Sequence, residues 1–353
     1  MPKAEVPAFV GDLAHEVEAE LAALITHEEH RWLADNPDLG VLFNELRGLV
    51  LGGGKRMRPA FCLLGALAAG GTANADIVRA GAALEMLHAM ALFHDDVIDG
   101  SASRRGHETT HIRHTRLHVE GAWAGDANRF GDGVAILVGD IAHVFADQLM
   151  GSMSAMVRDV WGQMRLEVNI GQYLDVIGSA RRDFAPTTVE RIGLLKTAKY
   201  TIERPLHIGA LIADPYVAGG ILDALSGYGV SLGVAFQMRD DVLGVFGEPD
   251  VTGKPAGDDL RASKPTALVA EAIAASTPAQ RSVLGRIGTS GLDASQIDDI
   301  RRVIVETGAL ASVESRISTL TDVAVRALDV LDLREDVREK FLSLAHAIAW
   351  RSV

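Results

Sequence analysis

Residues 80–99 read AGAALEMLHAMALFHDDVID. The run from Ala80 to Phe93 holds neither proline nor a β-branched side chain, so its backbone is predicted to be helical. On a helix, Asp95 and Asp99 stand one above the other, with Asp96 about a quarter-turn away. Carboxylates set so close repel one another unless cations lie between them. Clustered hard oxygen ligands suit Mg²⁺, which keeps several waters and takes one or two carboxylates plus the phosphate oxygens of a substrate. A solvated helix end is the plain alternative, and the remainder of the chain has to decide between the two.

The 353 residues contain no Pro/Gly/Ser-rich linker and no break in composition, which predicts one large domain over residues 1–353. Alanine and leucine dominate, aromatic residues make up only 5%, and no series of alternating β-branched strands occurs, so the expected fold class is all-α. A net charge of -13 argues against a nucleic-acid partner, so any phosphate contact must be a local basic cluster. Cys62 is the only cysteine and no disulfide framework exists, as expected for a reducing cytoplasm. No signal-peptide pattern opens the chain. No transmembrane segment is expected, because Glu85, His88 and several glycines interrupt the best apolar runs before they reach about 18 residues.

Upstream of the aspartates, Phe9 to Ala34 reads as an amphipathic helix that Asn36-Pro37 brings to an end. In Gly52-Gly53-Gly54-Lys55-Arg56-Met57-Arg58-Pro59, three glycines free the backbone, three cations follow, and the proline suits a first helical turn. Arg56 stands where a P-loop requires Ser or Thr, which argues against a nucleotide site. His88, two turns before Asp95, shares its face, and could equally be a core residue.

Downstream, Gly100 ends the helix and Ser101 to Gly106 sets Arg104 and Arg105 beside the carboxylates, with guanidinium forks that match phosphate oxygens. The segment from His107 to Gly131 reads as a long surface loop, with room for a short helix. Its His107, His111, His114 and His118 follow a helical spacing that would fit a transition metal, but no carboxylate or cysteine completes the set at an obvious offset. Helices are expected over Asp132–Ser154 and Val157–Ser179, the second carrying Gln172 and Asp175 on one face. Thr187, Thr188 and Glu190 predict the start of a helix bearing Lys196-Thr197, with Pro205 a kink or a seam between two helices. The acidic pair returns in Gln237-Met238-Arg239-Asp240-Asp241-Val242-Leu243-Gly244. A turn-rich loop containing Lys254 then leads to Lys264-Pro265-Thr266, and Ala267 to Val353 reads as helical scaffold.

Acid clusters alone bind cations and basic clusters alone bind phosphate; together they fit a diphosphate held through bridging Mg²⁺. Apolar helices around such a polar mouth suit a hydrocarbon tail. On these motifs the sequence resembles the trans-prenyl diphosphate synthases of the polyprenyl synthetase family, over nearly the whole chain. The marks, in order, are Gly53-Gly54-Lys55-Arg56 with Arg58-Pro59; Asp95 to Asp99 with Arg104-Arg105-Gly106; Gly139-Asp140; Gln172 with Asp175; Lys196-Thr197; Phe236-Gln237 with Asp240-Asp241; and Lys254 through Lys264-Pro265-Thr266.

The resemblance implies a homodimeric, single-domain bundle of long helices around a deep central cavity, with the two acidic motifs facing one another across its mouth. It implies that Asp95, Asp99 and Asp240, with Asp96 and Asp241 beside them, hold three Mg²⁺ ions that grip an allylic diphosphate, aided by Arg104, Lys196, Thr197, Lys254 and Lys264. Lys55, Arg58, His88, Arg105 and Gln237 are implied to hold isopentenyl diphosphate. Ionisation of the allylic C–O bond, attack by the bound alkene and loss of a proton to the diphosphate would follow, behind an apolar wall that excludes water. Two positions depart from the family pattern: Gly244 stands where a third aspartate is frequent, and Glu108 where a proline often follows the arginine pair.

For product length, a tail running down the aspartate helix gains about 5.4 Å per turn, roughly one five-carbon unit. Ala91, Met90, Leu87 and Met86 would then form the floor. Small Ala91 with intermediate Met90 favours the twenty-carbon geranylgeranyl diphosphate, with farnesyl diphosphate and longer chains as alternatives, and ordinary core packing as the competing reading of Met86 and Met90. Three other functions compete. A non-catalytic regulatory subunit would be signalled by loss of the acidic motifs, which are present. A metal-dependent phosphohydrolase, prompted by His94-Asp95, leaves the basic loops unexplained, and a terpene cyclase leaves Gly53 to Arg56 without a purpose.

Overall fold

The computed structural model describes residues 7–247, 257–289 and 291–350. Among them, regular structure is helical except for a minimal hairpin in which Ser103–Arg104 pairs antiparallel with His107–Glu108. The all-α class expected from the sequence is the class observed. Contacts group the chain into two compact units: an N-terminal unit of Ala8–Arg158 with Ile208–Tyr216, and a C-terminal unit of Asp159–His207 with Val217–Val353.

The N-terminal unit holds α1 (Ala8–Leu33), α2 (Gly40–Leu51), α3 (Met57–Ala68), α4 (Ala75–Asp99), α5 (Thr110–Glu120) and α6 (Ala127–Met150). Its centre is α4, which packs against α1, α2, α3 and α6. The Asn74 side chain accepts the Ile77 N–H, 3.0 Å, at its start. At its end Gly100 takes a left-handed conformation, φ 62°, and its N–H closes the last turn. Ala80 and Ala82 through Leu87 are buried without a polar stripe, as a helix enclosed on all sides requires. Its first residues, Ala75 and Asp76, and its last, Ile98 and Asp99, are exposed, and the aspartates stand at the emerging C-terminal end.

The stretch after the hairpin is not the surface loop expected. It forms α5, because His111, His114 and His118 recur at helical spacing and turn one face inward. His118 lies 5.2 Å from the Phe130 ring and 6.0 Å from Trp123, so it serves as an aromatic packing group. Glu45, from α2, accepts hydrogen bonds from Thr110 and Arg113 at 2.7 Å and lies 3.5 Å from His114. His107 is off this helix and exposed. Among the described residues no histidine, cysteine or acidic group of three is placed to hold a metal ion.

In chain order follow α7 (Ala155–Arg181), α8 (Pro186–Ile192), a π-helix (Gly193–Glu203), α9 (Arg204–Ala213) and α10 (Gly219–Phe246). Beyond them lie α11 (Asp258–Arg261), α12 (Ala267–Ala275), α13 (Pro278–Leu284), α14 (Ala294–Glu306), α15 (Ala309–Ala327) and α16 (Glu335–Ala349). The core of the C-terminal unit forms on α10, which packs against the π-helix, α12, α15 and α16. One expectation needs correction here. Neither Thr187 nor Thr188 caps α8; it starts at Pro186 after Ala185, and the Thr188 hydroxyl donates to Asp183 at 2.8 Å. Pro205 lies at a seam between two helices, the second of the two expected alternatives: the π-helix ends at Glu203 and α9 begins at Arg204. The Arg204 N–H reaches five residues back to Lys199 O, and this wider turn removes the clash that a proline ring makes with the carbonyl four residues earlier.

A further correction concerns hydropathy. Both α6 and α10 are long and apolar enough to cross a membrane by length and composition, since their glycines and few charges are outweighed by their apolar neighbours. Less than half of each apolar window is buried; α6 packs against α4 and α5, and α10 against the π-helix and α15.

Candidate active site

In the N-terminal unit the glycine-rich loop is held down by Arg56. Its guanidinium is buried and bonds Glu85 at 2.7 Å, Glu18 at 2.9 Å and Val50 O at 2.7 Å. Of the three cations read as one basic cluster, Arg56 therefore serves the scaffold, while Lys55 is exposed and Arg58 half-buried. Arg105, at the left-handed turn of the hairpin (φ 52°), donates to Gly53 O and ties the two loops together. These guanidinium groups surround His88. Burial, then the charges of Arg58, Arg105, Arg104 and Arg56, hold its imidazole well below its ordinary value, so it is neutral. Its buried Nδ1 has no hydrogen-bond partner among the described residues. Burial and the neighbouring arginines also lower Arg105, against the opposing pull of Glu85. Four guanidinium groups thus lie within electrostatic reach of a buried ring nitrogen that has no hydrogen-bond partner among the described residues.

One turn-pair further along α4, the three aspartates separate. Asp96 is buried, and Arg104 bonds it through Nε at 2.8 Å and Nη2 at 2.6 Å while reaching Asp95 at 3.3 Å. Burial works against the charge of Arg104, yet Asp96, Asp95 and Asp99 raise its pKa. Asp95 remains partly accessible and Asp99 is exposed. His94 turns towards α6, its Nε2 3.1 Å from Ile136 O and 3.6 Å from Asp140. A methyl group on Gly139 would lie 2.6 Å from the His94 ring carbon Cδ2 and closer still to Nε2, which accounts for the glycine before Asp140.

In the C-terminal unit, Gly171 of α7 lets the π-helix approach so closely that a methyl group there would lie 2.8 Å from Lys196 Cα. Lys196 then reaches Asp175 at 2.5 Å. Thr197 donates to Gln237 of α10, and Gln237 donates to Asp241 at 2.7 Å. Asp241 also accepts the Ala267 N–H, 3.2 Å, at the start of α12. Burial, then the charges of Asp259 and Asp240, push Asp241 up to about 7. Asp240 is half-buried. The second aspartate of each pair, Asp96 and Asp241, is thus a buried group with protein partners, whereas Asp95 and Asp240 are half-buried. Lys264 is half-buried, its N–H on Asp259 O at 3.0 Å, and Lys254 lies outside the described residues.

Two features escaped the sequence. Glu167 of α7 binds Arg204 through both oxygens, 2.7 and 2.8 Å, and Lys199 binds Glu203 at 2.9 Å, an ionic network on three elements. Asp259 lies against Gly244, although nothing in local spacing pairs positions fifteen apart across a loop.

The sequence model of the polyprenyl synthetase family matches residues 41–306. The chain belongs to the polyprenyl synthetase family. It is a prenyltransferase of the trans-prenyl diphosphate synthase type. Geranylfarnesyl diphosphate synthase of Aeropyrum pernix is 33% identical over 297 residues, 80% of this chain and 84% of that protein. Octaprenyl diphosphate synthase of Escherichia coli is 30% identical over 306 residues, 86% of this chain and 88% of that protein. The crystal structure of a Corynebacterium glutamicum geranylgeranyl pyrophosphate synthase, complexed with isoprenyl diphosphate and magnesium, is 37% identical with a TM-score of 0.90, covering 99% of this chain and 100% of that one. In each unit the accessible carboxylates are hard oxygen donors, and among the described residues no group of three His, Cys or acidic side chains forms a closed cage, so the donors fit a divalent cation completed by water and phosphate oxygens.

Proposed function

We propose that the chain, acting as one prenyl synthase domain over residues 1–353, condenses isopentenyl diphosphate with an allylic diphosphate to give geranylgeranyl diphosphate. The observation that carries the reading is the neutral, unpartnered His88 among Arg58, Arg104 and Arg105, in the same unit as Asp95 and Asp99. Arg58, Arg105, Lys55 and His88 bind the homoallylic diphosphate. Asp95, Asp99 and Asp240 would hold Mg²⁺, which when bound neutralises charge on the departing diphosphate. Lys196, oriented by Asp175, presents its ammonium group to the allylic diphosphate, and Thr197 fixes the Gln237 amide. Apolar side chains above Met90 exclude water from the allylic cation.

Support for the twenty-carbon product comes from small Ala91 above buried Met90, Leu87 and Met86, and from the similarity to a geranylgeranyl pyrophosphate synthase. The other relatives name longer products. The protein works as a soluble cytoplasmic homodimer in this reading. The test is incubation with Mg²⁺ and dimethylallyl, geranyl or farnesyl diphosphate, each with and without isopentenyl diphosphate, followed by chromatography of the dephosphorylated alcohols. Elongation only when both substrates are present is expected. Diphosphate binding without elongation of any allylic substrate would make the chain a regulatory subunit.

A further inference from the structure

The second acidic cluster has a gap at Gly244, one turn beyond Asp240 on α10, and the gap is filled from elsewhere. A methyl carbon at Gly244 would lie 2.7 Å from Cγ and 3.5 Å from Cβ of Asp259, with one carboxylate oxygen closer still. The Asp259 carboxylate therefore rests on the bare backbone of α10, in the volume that any side chain at 244 would occupy. It cannot easily swing away. Leu260, the next residue, is fully buried, and its carbonyl accepts the Gly288 N–H at 2.9 Å. Further along, the Ala267 N–H is bonded to Asp241 of α10. The segment that follows Asp259 is thus held at two points, at Leu260 by Gly288 and at Ala267 by α10.

We propose that Asp259 is the third carboxylate of the second acidic cluster, delivered by α11 instead of α10, and that Gly244 is the vacancy that admits it. The inference rests on the prenyltransferase reading above and concerns how this chain completes its Mg²⁺–diphosphate site. Asp259 is a positioning residue: seated against Gly244, it adds negative charge one turn along α10 from Asp240 and so favours the cation that Asp240 would hold. Two carboxylates cannot share this volume, and like charges so close cannot both ionise. An aspartate at 244 and one at 259 are therefore alternatives. The competing account of Asp259 is a favourable charge in the first turn of α11, but a helix of one turn has little dipole to complement.

The experiment uses the full chain and three variants, Asp259→Asn, Gly244→Asp and the exchange Gly244→Asp/Asp259→Gly. Mn²⁺ binding in the presence of inorganic pyrophosphate is followed by electron paramagnetic resonance, with turnover and thermal unfolding measured alongside. Asp259→Asn keeps the shape and removes the charge, so it decides the matter even where Gly244→Asp folds poorly. About a tenfold weakening of Mn²⁺–pyrophosphate binding is expected for Asp259→Asn, with melting within a few degrees of the parent. Recovery of binding in the exchange variant relative to Gly244→Asp is also expected. Parental affinity in Asp259→Asn, or an exchange variant no better than Gly244→Asp, would overturn the assignment. A parent chain that binds no Mn²⁺–pyrophosphate at all would overturn the functional reading, and this inference with it.

Discussion

Asp95 and Asp96 are adjacent and chemically identical, yet their surroundings give them different work. Asp95→Asn removes an accessible charge without changing volume, so turnover is expected to fall by orders of magnitude with little change in melting temperature. Asp96→Asn leaves Arg104 buried without its main partner, which costs about 3 kcal/mol of stability, and the melting temperature drops as well. Calorimetry and steady-state rates on the two variants check this, and equal effects on melting would contradict it. His88 supplies a pH-dependent counterpart. Its folded pKa lies below the unfolded value of 6.5, so the folded state binds the proton more weakly. Its contribution to stability is present above pH 6.5 and is lost as pH falls towards the folded pKa. His88→Gln is expected to flatten the decline of melting temperature below pH 6.5, and an unchanged slope would remove His88 from that account. Binding of pyrophosphate places negative charge beside the ring and should be accompanied by proton uptake, read by calorimetry in buffers of different ionisation enthalpy.

At the scale of elements, α4 carries two duties along its length. Its buried stretch anchors the N-terminal unit, and its emergent end carries the aspartates. Met86 and Leu87 have no accessible surface, whereas Met90 is 6% exposed and Ala91 more so, so the upper pair is the better lever on product length. Met90→Phe should shorten the product and Met90→Ala lengthen it. Leu87→Ala should lengthen it further but at about 2–5 kcal/mol of stability, since it opens a cavity in the core. Chromatography of the alcohols checks both directions, and an unchanged distribution in all three variants would place the floor on other helices. The π-helix shows a similar division: its wide last turn leads into α9 just before Pro205, and Gly171 of α7 sets the height at which Lys196 meets Asp175.

For the whole molecule, metal and scaffold are separable. No described group of three acidic or histidine side chains holds an ion, and the helices close on apolar cores and on pairs such as Arg56 with Glu85. Thorough chelation is therefore expected to abolish turnover while leaving the melting temperature of the substrate-free protein unchanged. Turnover undiminished after chelation would contradict the assignment of Asp95, Asp99 and Asp240. The negative net charge and the cationic pocket around His88 are compatible for the same reason: the excess of acid is spread over the chain, while a few arginines are gathered by two loops that Arg105 ties together.

Much of this was legible before any tertiary contact. A helix through residues 80–99, its stop at Gly100, the stacking of Asp95 over Asp99, the order of the motifs and the all-α class follow from local spacing and backbone preference, which act over a few residues. What spacing cannot reveal is which face a neighbour covers, or which distant group meets a buried charge. Arg56 left the basic cluster because Glu85, twenty-nine residues on, took it; α5 replaced a loop because α6 lay under its histidines; Asp96 and Asp241 turned inward because Arg104 and the start of α12 met them. Burying an ionised or hydrogen-bonding group is tolerable only where a partner waits, and those partners come from elsewhere in the chain. Gly244 reads as a lost aspartate in one dimension, and only the fold shows Asp259 standing in its place.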